Sequence, residues 1–363
     1  MSGPSFGVEE EFLLVDPITG RPVPRACETA RRAAMRGAEL QLEFTTAQVE
    51  TATGKADTSL QLRQDISKLR ACAAESARRA GAILLAVALP PALDEPIALT
   101  DSPRYRRMGE HLGALCADRG NCGCHVHVEV PSRDAAIAVS NWLRPWLPVM
   151  LALTANSAIY RDVDTRYASW RHMLWSRWPS AGPPPYFDSV ADYDRTVAML
   201  FDSGAILDEA MIYWYVRPSV RFPTVEIRVA DVPATAAETV LYATLVRAAV
   251  VTALASYERG EPAPNVPDHV IAAACWKAAH DGLGGELIDV LESARSQPAT
   301  RILKQWLRVL GPALEATDDI GWVCPELRRV LLEGNGAARQ EQVWGRRNNV
   351  MDVITDAAAA TIR

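Results

Sequence analysis

The chain has 363 residues, 49% of them hydrophobic and 23% charged, the composition of a globular protein able to bury a large core. Its 38 basic residues are outnumbered by 44 acidic ones, for a formal net charge of −6. No overall basic field is therefore available to draw nucleic acid, although a local basic patch could still hold phosphates. The stretch from Met1 to Glu11 is acidic and unlike a signal peptide, and no continuous apolar run reaches the ~18 residues of a membrane span. A cytoplasmic chain with neither nucleic-acid nor membrane partners is expected. Seven cysteines, an odd number scattered along the chain, argue against a disulfide framework and for reduced thiols.

In chain order, Gly7–Phe12 alternates as a strand and Asp16–Gly20 reads as a turn. Glu39–Thr53 reads as two short extended pieces broken near Thr45-Thr46. Apolar residues Leu62, Ile66, Leu69, Ala73 and Ala77 predict a helix from Thr58 to Arg79, capped by Thr58 or Asp57. A buried strand is expected over Ala82–Ala88, stopped by Pro90-Pro91, then a helix from Pro103 to Ala117. A histidine-bearing strand, His125–Val130, precedes a helix over Ser132–Ala155 that Pro145 and Pro148 should kink or break. Asn156–Asp188 is irregular, rich in Arg and Trp, and has the length of an active-site cover or an interface. Strands are expected again at Met211–Val216 and Thr224–Val229, with helices from Ala236 onward. This order gives an α+β fold rather than a βα repeat. One catalytic domain is expected over residues 1–363, with the site in the mixed part (1–235) and helices in the remainder (236–363).

Four short segments carry the chemistry. Because strand side chains alternate faces, Glu9 shares a face with Glu11, His125 with His127 and Glu129, and Glu226 with Arg228, while Glu43 and Glu50 flank the broken second segment. A solvated sheet face also alternates, but it draws on Thr, Ser and Lys; one made of carboxylates and imidazoles repels itself unless a cation joins it. Several carboxylates suit hard cations such as Mg²⁺, two or three of them clamped around a nucleotide triphosphate, with Mn²⁺ as an alternative. The chain has no GxxxxGK[ST] loop, which disfavours a P-loop site. Cys122 and Cys124 lie next to the histidines, yet the same period of two sends them to the apolar face, so a Cys/His zinc site is not expected.

These motifs, in this order, resemble the bacterial type 2 glutamate–cysteine ligases, or YbdK-like carboxylate–amine ligases. The matching residues are Gly7-Val8-Glu9-Glu10-Glu11; Glu43 through Glu50-Thr51-Ala52-Thr53; Gly123-Cys124-His125-Val126-His127-Val128; Asp164-Thr165-Arg166-Tyr167-Ala168-Ser169 with Arg171; and Arg217-Pro218-Ser219 leading to Thr224-Val225-Glu226-Ile227-Arg228-Val229-Ala230-Asp231. The resemblance implies a curved antiparallel sheet like that of glutamine synthetase, with helices on its outer side. It also implies a reaction in which ATP phosphorylates the γ-carboxylate of L-glutamate and the amine of L-cysteine displaces phosphate. Carried over by position, Glu9, Glu11, Glu43, Glu50, His127 and Glu226 would bind Mg²⁺, and His125 would line the same site. Arg228, with Glu226, would act at the transferred phosphoryl group, and Arg166, Arg171 and Arg217 would meet phosphates or a substrate carboxylate. A homodimer is a further expectation of the resemblance.

Other readings compete. The same ligase chemistry could serve a different amine or acid, since no motif identifies the amine site. A metal-dependent amidohydrolase could build on His125 and His127, but it needs further ligands from among His111, His172, His269 and His280. A ligase-like binding scaffold would be expected to have lost part of its acidic set, and every matched acidic position here retains an acid.

Overall fold

A computed structural model describes residues 3–116 and 120–363. Strands β1 (Phe6–Val15), β2 (Gln41–Leu42), β3 (Gln48–Ala52), β4 (Ile83–Leu85) and β5 (Gly123–Glu129) are followed by a small hairpin, β6 (Ile159–Tyr160) and β7 (Val163–Asp164). Then come β8 (Val216–Pro218), β9 (Thr224–Asp231) and a second hairpin, β10 (Glu286–Ile288) and β11 (Ser296–Pro298). Among the described residues seven strands form the main sheet, ordered β2-β3-β1-β5-β9-β8 with β4 also on β1. Every pairing in it is antiparallel.

Helices α1 (Ala26–Ala34), α2 (Ser59–Arg79), α3 (Pro103–Leu112), α4 (Arg133–Leu143), α5 (Leu147–Thr154), α6 (Trp170–Trp175) and α7 (Val190–Asp202) lie between the strands. After β9 come α8 (Ala236–Glu258), α9 (Asp268–Asp281), α10 (Ala299–Ala316), α11 (Ile320–Glu333), α12 (Gly336–Arg347) and α13 (Val350–Thr361). One sheet face is apolar. Phe6, Val8, Cys124, Val126, Val128, Val225 and Ile227 join Leu62 and Ile66 of α2 and the inner residues of α4, α5 and α8 in one core. Burying that face against helices frees the opposite face for polar work.

Thr58 caps α2, its hydroxyl accepting the Gln61 amide at 3.2 Å. Inside that helix Arg70 is fully buried and forms an ion pair with Glu10 at 2.6 Å. Arg70 also donates to Pro233 O (2.8 Å), Ala234 O (3.2 Å), Thr361 O (3.2 Å) and Thr239 Oγ1 (3.0 Å). Glu10 is the one acid of β1 that points into the core, and this pair satisfies it there.

Several elements differ from expectation. The Ser132–Ala155 helix breaks into α4, a 3-10 turn at Arg144–Trp146, and α5, because Pro145 and Pro148 lack the amides that continuity needs. The expected helix from Pro103 ends at Leu112 in a 3-10 turn over Gly113–Cys116, and its final residue, Ala117, lies outside the described residues. Met211–Val216 is not a strand: Tyr213 N donates to Ser180 Oγ (3.2 Å) and Tyr215 N to Gly182 O (2.8 Å), and pairing with β9 begins only at Val216. The β10–β11 hairpin interrupts the helical part, and Ala82–Ala88 pairs only over Ile83–Leu85. Two helical stretches, Arg133–Thr154 and Ala236–Glu258, have the length and mean hydropathy of a membrane span, although charged residues interrupt the apolar run of each. Their apolar windows are 89% and 72% buried inside the protein, as core helices are.

Candidate active site

The register of the sheet assembles the acids and histidines. Glu11 of β1 lies directly opposite Glu50 of β3, Glu9 opposite His125 of β5, and His127 opposite Glu226 of β9, which in turn faces Arg217 of β8. Directly opposed side chains are close enough to interact. His125 Nδ1 is 3.2 Å from Glu9 Oε2 and its Nε2 is 3.9 Å from Glu11 Oε1, while His127 Nε2 is 3.5 Å from Glu9 Oε1 and 3.9 Å from Glu226 Oε1. Two sets have donor atoms within 4.8 Å of one another, Glu9–His125–Glu226 and Glu11–Glu50–His125. His125, expected only to line the site, is common to both, whereas His127 lies at their edge. Its Nε2 is buried without a hydrogen-bond partner and its Nδ1 is 3.0 Å from Thr224 Oγ1.

The pairing of β5 with β9 shifts between Cys124 and Val126, so that one extra β9 residue bulges opposite His125. Bulges re-aim side chains, and this one lies at Arg228. The Arg228 guanidinium bonds Glu226 and reaches 3.4 Å from His125 Nδ1. Arg217 holds the other Glu226 oxygen (Nε to Oε2, 2.9 Å) and bonds Ile212 O.

Electrostatically the acids divide into two groups. For Glu9, burial favours the neutral form, but the hydrogen bond from His125 and the nearby His127 imidazole outweigh it and the pKa falls well below the usual range. Burial likewise opposes Glu226 ionisation, and Arg228 and Arg217 overcome it. Burial and the neighbouring Glu11 push Glu43 up to about 8, and burial with Glu43, Glu9 and Glu11 nearby raises Glu50 well above its ordinary value. Burial and Arg228 lower the His125 pKa. A set in which like charges hold protons is one that a cation can enter by displacing them.

Glu9, Glu11, Glu43, Glu50, His125, Arg217 and Arg228 line a cleft of about 230 Å³. Its walls include residues that the sequence reading missed: Gln48 of β3, Arg104 and Tyr105 of α3, Asn121, Trp175 of α6, Trp178 and Tyr213. Gln48 had a signal, being two residues before Glu50 on the same face; the others come from helices and loops with no alternation to reveal them. Arg171 of α6 is buried in this wall, 3.6 Å from Asp231 and over the Trp175 ring, with its Nε unpartnered. Gly123 lets it approach, because a Cβ there would stand 2.5 Å from Arg171 Nη2.

Arg166 is the expected site residue that the fold leaves outside. Its side chain is 86% exposed, it lies 3.4 Å from Asp164, and its φ of 63° turns the chain away after the β6–β7 hairpin. The further histidines that a hydrolase would need are also elsewhere: His172 is bound to the Tyr215 hydroxyl at 2.6 Å, and neither it nor His111, His269 or His280 enters either donor set among the described residues. The Cys122 and Cys124 thiols are buried outside both sets, their pKa values raised by burial.

A family model described as glutamate–cysteine ligase family 2 matches residues 5–353. A Mycolicibacterium smegmatis protein provisionally named glutamate–cysteine ligase 2-3 is 56% identical over 361 residues, covering 99% of both chains. A Nocardia farcinica protein provisionally named glutamate–cysteine ligase 2-1 is 51% identical over 362 residues, covering 100% of this chain and 94% of its own. Among solved structures, the glutamate–cysteine ligase of Francisella tularensis in complex with AMP superposes with a TM-score of 0.74 at 13% identity, over 99% of this chain and 89% of that one. The ligase PafA in complex with the ubiquitin-like protein Pup gives 0.56 at 14% identity, over 100% of this chain and 74% of that one. At such identities the likeness establishes the fold, a glutamine-synthetase-like antiparallel sheet with helices on its outer side. With its sequence matched almost end to end, the chain belongs to glutamate–cysteine ligase family 2 and is a ligase that forms a carbon–nitrogen bond.

Proposed function

We propose that this protein is an ATP- and Mg²⁺-dependent carboxylate–amine ligase that makes γ-glutamylcysteine from L-glutamate and L-cysteine through an acyl phosphate. The observation that supports this reading most is the cross-strand cluster of Glu9, Glu11, Glu50, His125 and Glu226 with Arg228 beside it. The donor chemistry fits a hard cation: carboxylate oxygens predominate, burial and like charge raise the pKa of Glu43 and Glu50 in a way a cation would relieve, and His127 presents a buried, unpartnered nitrogen. Glu9, Glu11, Glu43, Glu50, Glu226 and the two imidazoles would hold the metal. Mg²⁺, when bound, neutralises triphosphate charge and aligns it for transfer.

The remaining work falls to the chain itself. Arg228 would steady the charge that develops as the acid's carboxylate oxygen attacks the γ-phosphorus and ADP departs. Its ion pair with Glu226 fixes the guanidinium beforehand, and Arg217 fixes Glu226 in turn. Arg171, with an unsatisfied Nε in the wall, would bind a substrate carboxylate. The amine then attacks the acyl carbon and phosphate leaves. The aromatic wall would keep water from the acyl phosphate during that interval. We assign no role to Arg166, and treat the whole chain as one catalytic unit working in the cytoplasm.

Incubation with ATP, Mg²⁺ and L-glutamate, with and without L-cysteine and a panel of other amines, tests the reading through ADP release and product mass together. ADP and the γ-glutamylcysteine mass should appear only when both amino acids are present. ADP with other pairs alone would retain the chemistry and overturn the substrates; no ADP with any pair would overturn the ligase reading of this site.

A further inference from the structure

Strict alternation along β9 would send Asp231 to the apolar face with Val225 and Ile227. The extra residue opposite His125 prevents this. Beyond it Ala230 stands opposite Cys124 and Asp231 opposite Gly123, so the carboxylate returns to the face that carries Glu226 and the histidines. Gly123 is the residue whose missing Cβ leaves room for Arg171 Nη2, and Arg171 Nη1 lies 3.6 Å from Asp231 Oδ1. The bulge thus delivers a fully buried acid beside a buried guanidinium that lines the cleft.

The same carboxylate holds the backbone that carries Arg171. Asp231 Oδ2 accepts the Asn156 amide at 2.9 Å and the Ser157 hydroxyl at 2.8 Å, and Oδ1 accepts the Ser169 hydroxyl at 2.9 Å. Burial raises the Asp231 pKa, and Arg171 with these three donors holds the rise in check. Each serine passes the restraint on. Ser157 Oγ accepts the Arg171 amide at 3.0 Å, and Ser169 Oγ, capping α6, accepts the His172 amide at 3.3 Å. Arg171 is therefore fixed twice from one carboxylate, by charge at its guanidinium and through a serine at its amide. A rival carboxylate is close, since Glu11 accepts the amide of that same Gly123 at 2.6 Å. A guanidinium drawn to Glu11 would take a donor from the acidic row. We propose that Asp231 is the positioning residue for Arg171, holding its guanidinium in the cleft wall where a substrate carboxylate docks. This rests on the reading of Arg171 as the residue that binds that carboxylate.

A double-mutant cycle on the full-length protein, with the acid and amine that support ADP release, tests the assignment. Asp231→Asn keeps the shape of the side chain and removes its charge. It should raise the KM for the acid about three- to tenfold, the scale of coupling within one ion-pair network, and move the KM for ATP by less than about twofold. In an Arg171→Ala background the same substitution should change the acid KM by less than about twofold, because the group it acts through is gone. Ser157→Ala leaves the Asp231 charge and cuts the link to the Arg171 amide. It should raise the acid KM about two- to fivefold, and it decides the matter if Asp231→Asn fails to fold. Where Arg171→Ala raises the acid KM, an unchanged or lowered value in the folded Asp231 and Ser157 variants overturns the proposal and leaves the Arg171 reading standing. Equal effects of Asp231→Asn with and without Arg171 overturn it too, and make Asp231 a general support for the 156–169 segment. If Arg171→Ala leaves the acid KM unchanged, or the wild type releases ADP with no acid and amine pair, the carboxylate reading and the proposal fall together.

Discussion

Replacing Glu43 by Gln should flatten the pH dependence of stability in the metal-free protein. Glu43 titrates at about 8 against an ordinary 4.5, raised by burial and by Glu11. Between those values the folded chain keeps a proton that the unfolded chain has released. The associated stability is complete below about pH 4.5 and is lost as pH rises through 8. At about 1.4 kcal/mol per unit the shift sets a ceiling of about 5 kcal/mol. Glu50 titrates with Glu43 as a pair, and part of Glu43 faces the open cleft, so roughly 2 kcal/mol is the expected size. Other groups run the opposite way: Glu9 and Glu226 have lowered values and gain stability as pH rises from strong acid to about 4.5, and His125, also lowered, gains it up to about 6.5. The difference between wild type and Glu43→Gln isolates the pair. Urea denaturation in a chelator at pH 5, 6, 7 and 8 should show the wild type losing roughly 2 kcal/mol relative to the variant, and Mg²⁺ should restore the wild type most at pH 8. Parallel curves across this range would refute the proton-holding account of the cluster.

Glu9→Gln and Glu226→Gln should each cut ADP formation at least about a hundredfold while circular dichroism stays native; near-wild-type turnover in either would remove that residue from the site. Arg171→Ala should raise the KM for the acid substrate more than about tenfold, whereas exposed Arg166→Ala should stay within about twofold, and the reverse ranking would mean that the β6–β7 loop closes over the cleft during turnover. Arg70→Met should cost about 3–5 kcal/mol in chemical denaturation by stranding Glu10, and adding Glu10→Gln should recover much of it; a cost for Arg70→Met under about 1 kcal/mol would show that the pair does not hold the sheet to α2.

Alternation alone placed Glu9 with Glu11 and Glu226 with Arg228, because a strand's period of two is a local property. What faces what across strands is not local. That Glu11 stands opposite Glu50 and Glu9 opposite His125 depends on register, and the extra β9 residue opposite His125 leaves no trace in composition. Alternation puts His125 and His127 on one face without ranking them; the family resemblance implies His127 as a ligand and His125 as lining, while the assembled sheet puts His125 at the junction of both donor sets. Arg70 is legible in principle: it lies four residues after Ile66 and three before Ala73, on the buried stripe of α2, whereas hydrophobicity alone points to Leu69. Tyr213 and Trp214 look like strand residues because aromatic residues favour strands, yet their segment bonds to the 180–182 loop instead. The aromatic wall of the cleft is invisible in the sequence because Tyr105 of α3, Trp175 of α6, Trp178 and Tyr213 come from separate segments that only the fold brings together.

The Arg70 cluster also sets the order in which this protein can be completed during synthesis. Arg70 bonds the Thr361 carbonyl 291 residues downstream, and the Thr361 hydroxyl accepts the Ala86 amide across 275. Strand β1, translated first, meets its partner His125 across 116 residues and gains β9 indirectly only after a further hundred. Contacts at such separations must close large loops before they return any stabilisation, which slows folding. A nascent chain therefore carries an unpaired β1 edge until β5 has emerged, about a third of the way along, and an Arg70 lacking its last carbonyl until Thr361 has been made. That interval is when the chain is most exposed to aggregation and most in need of a chaperone.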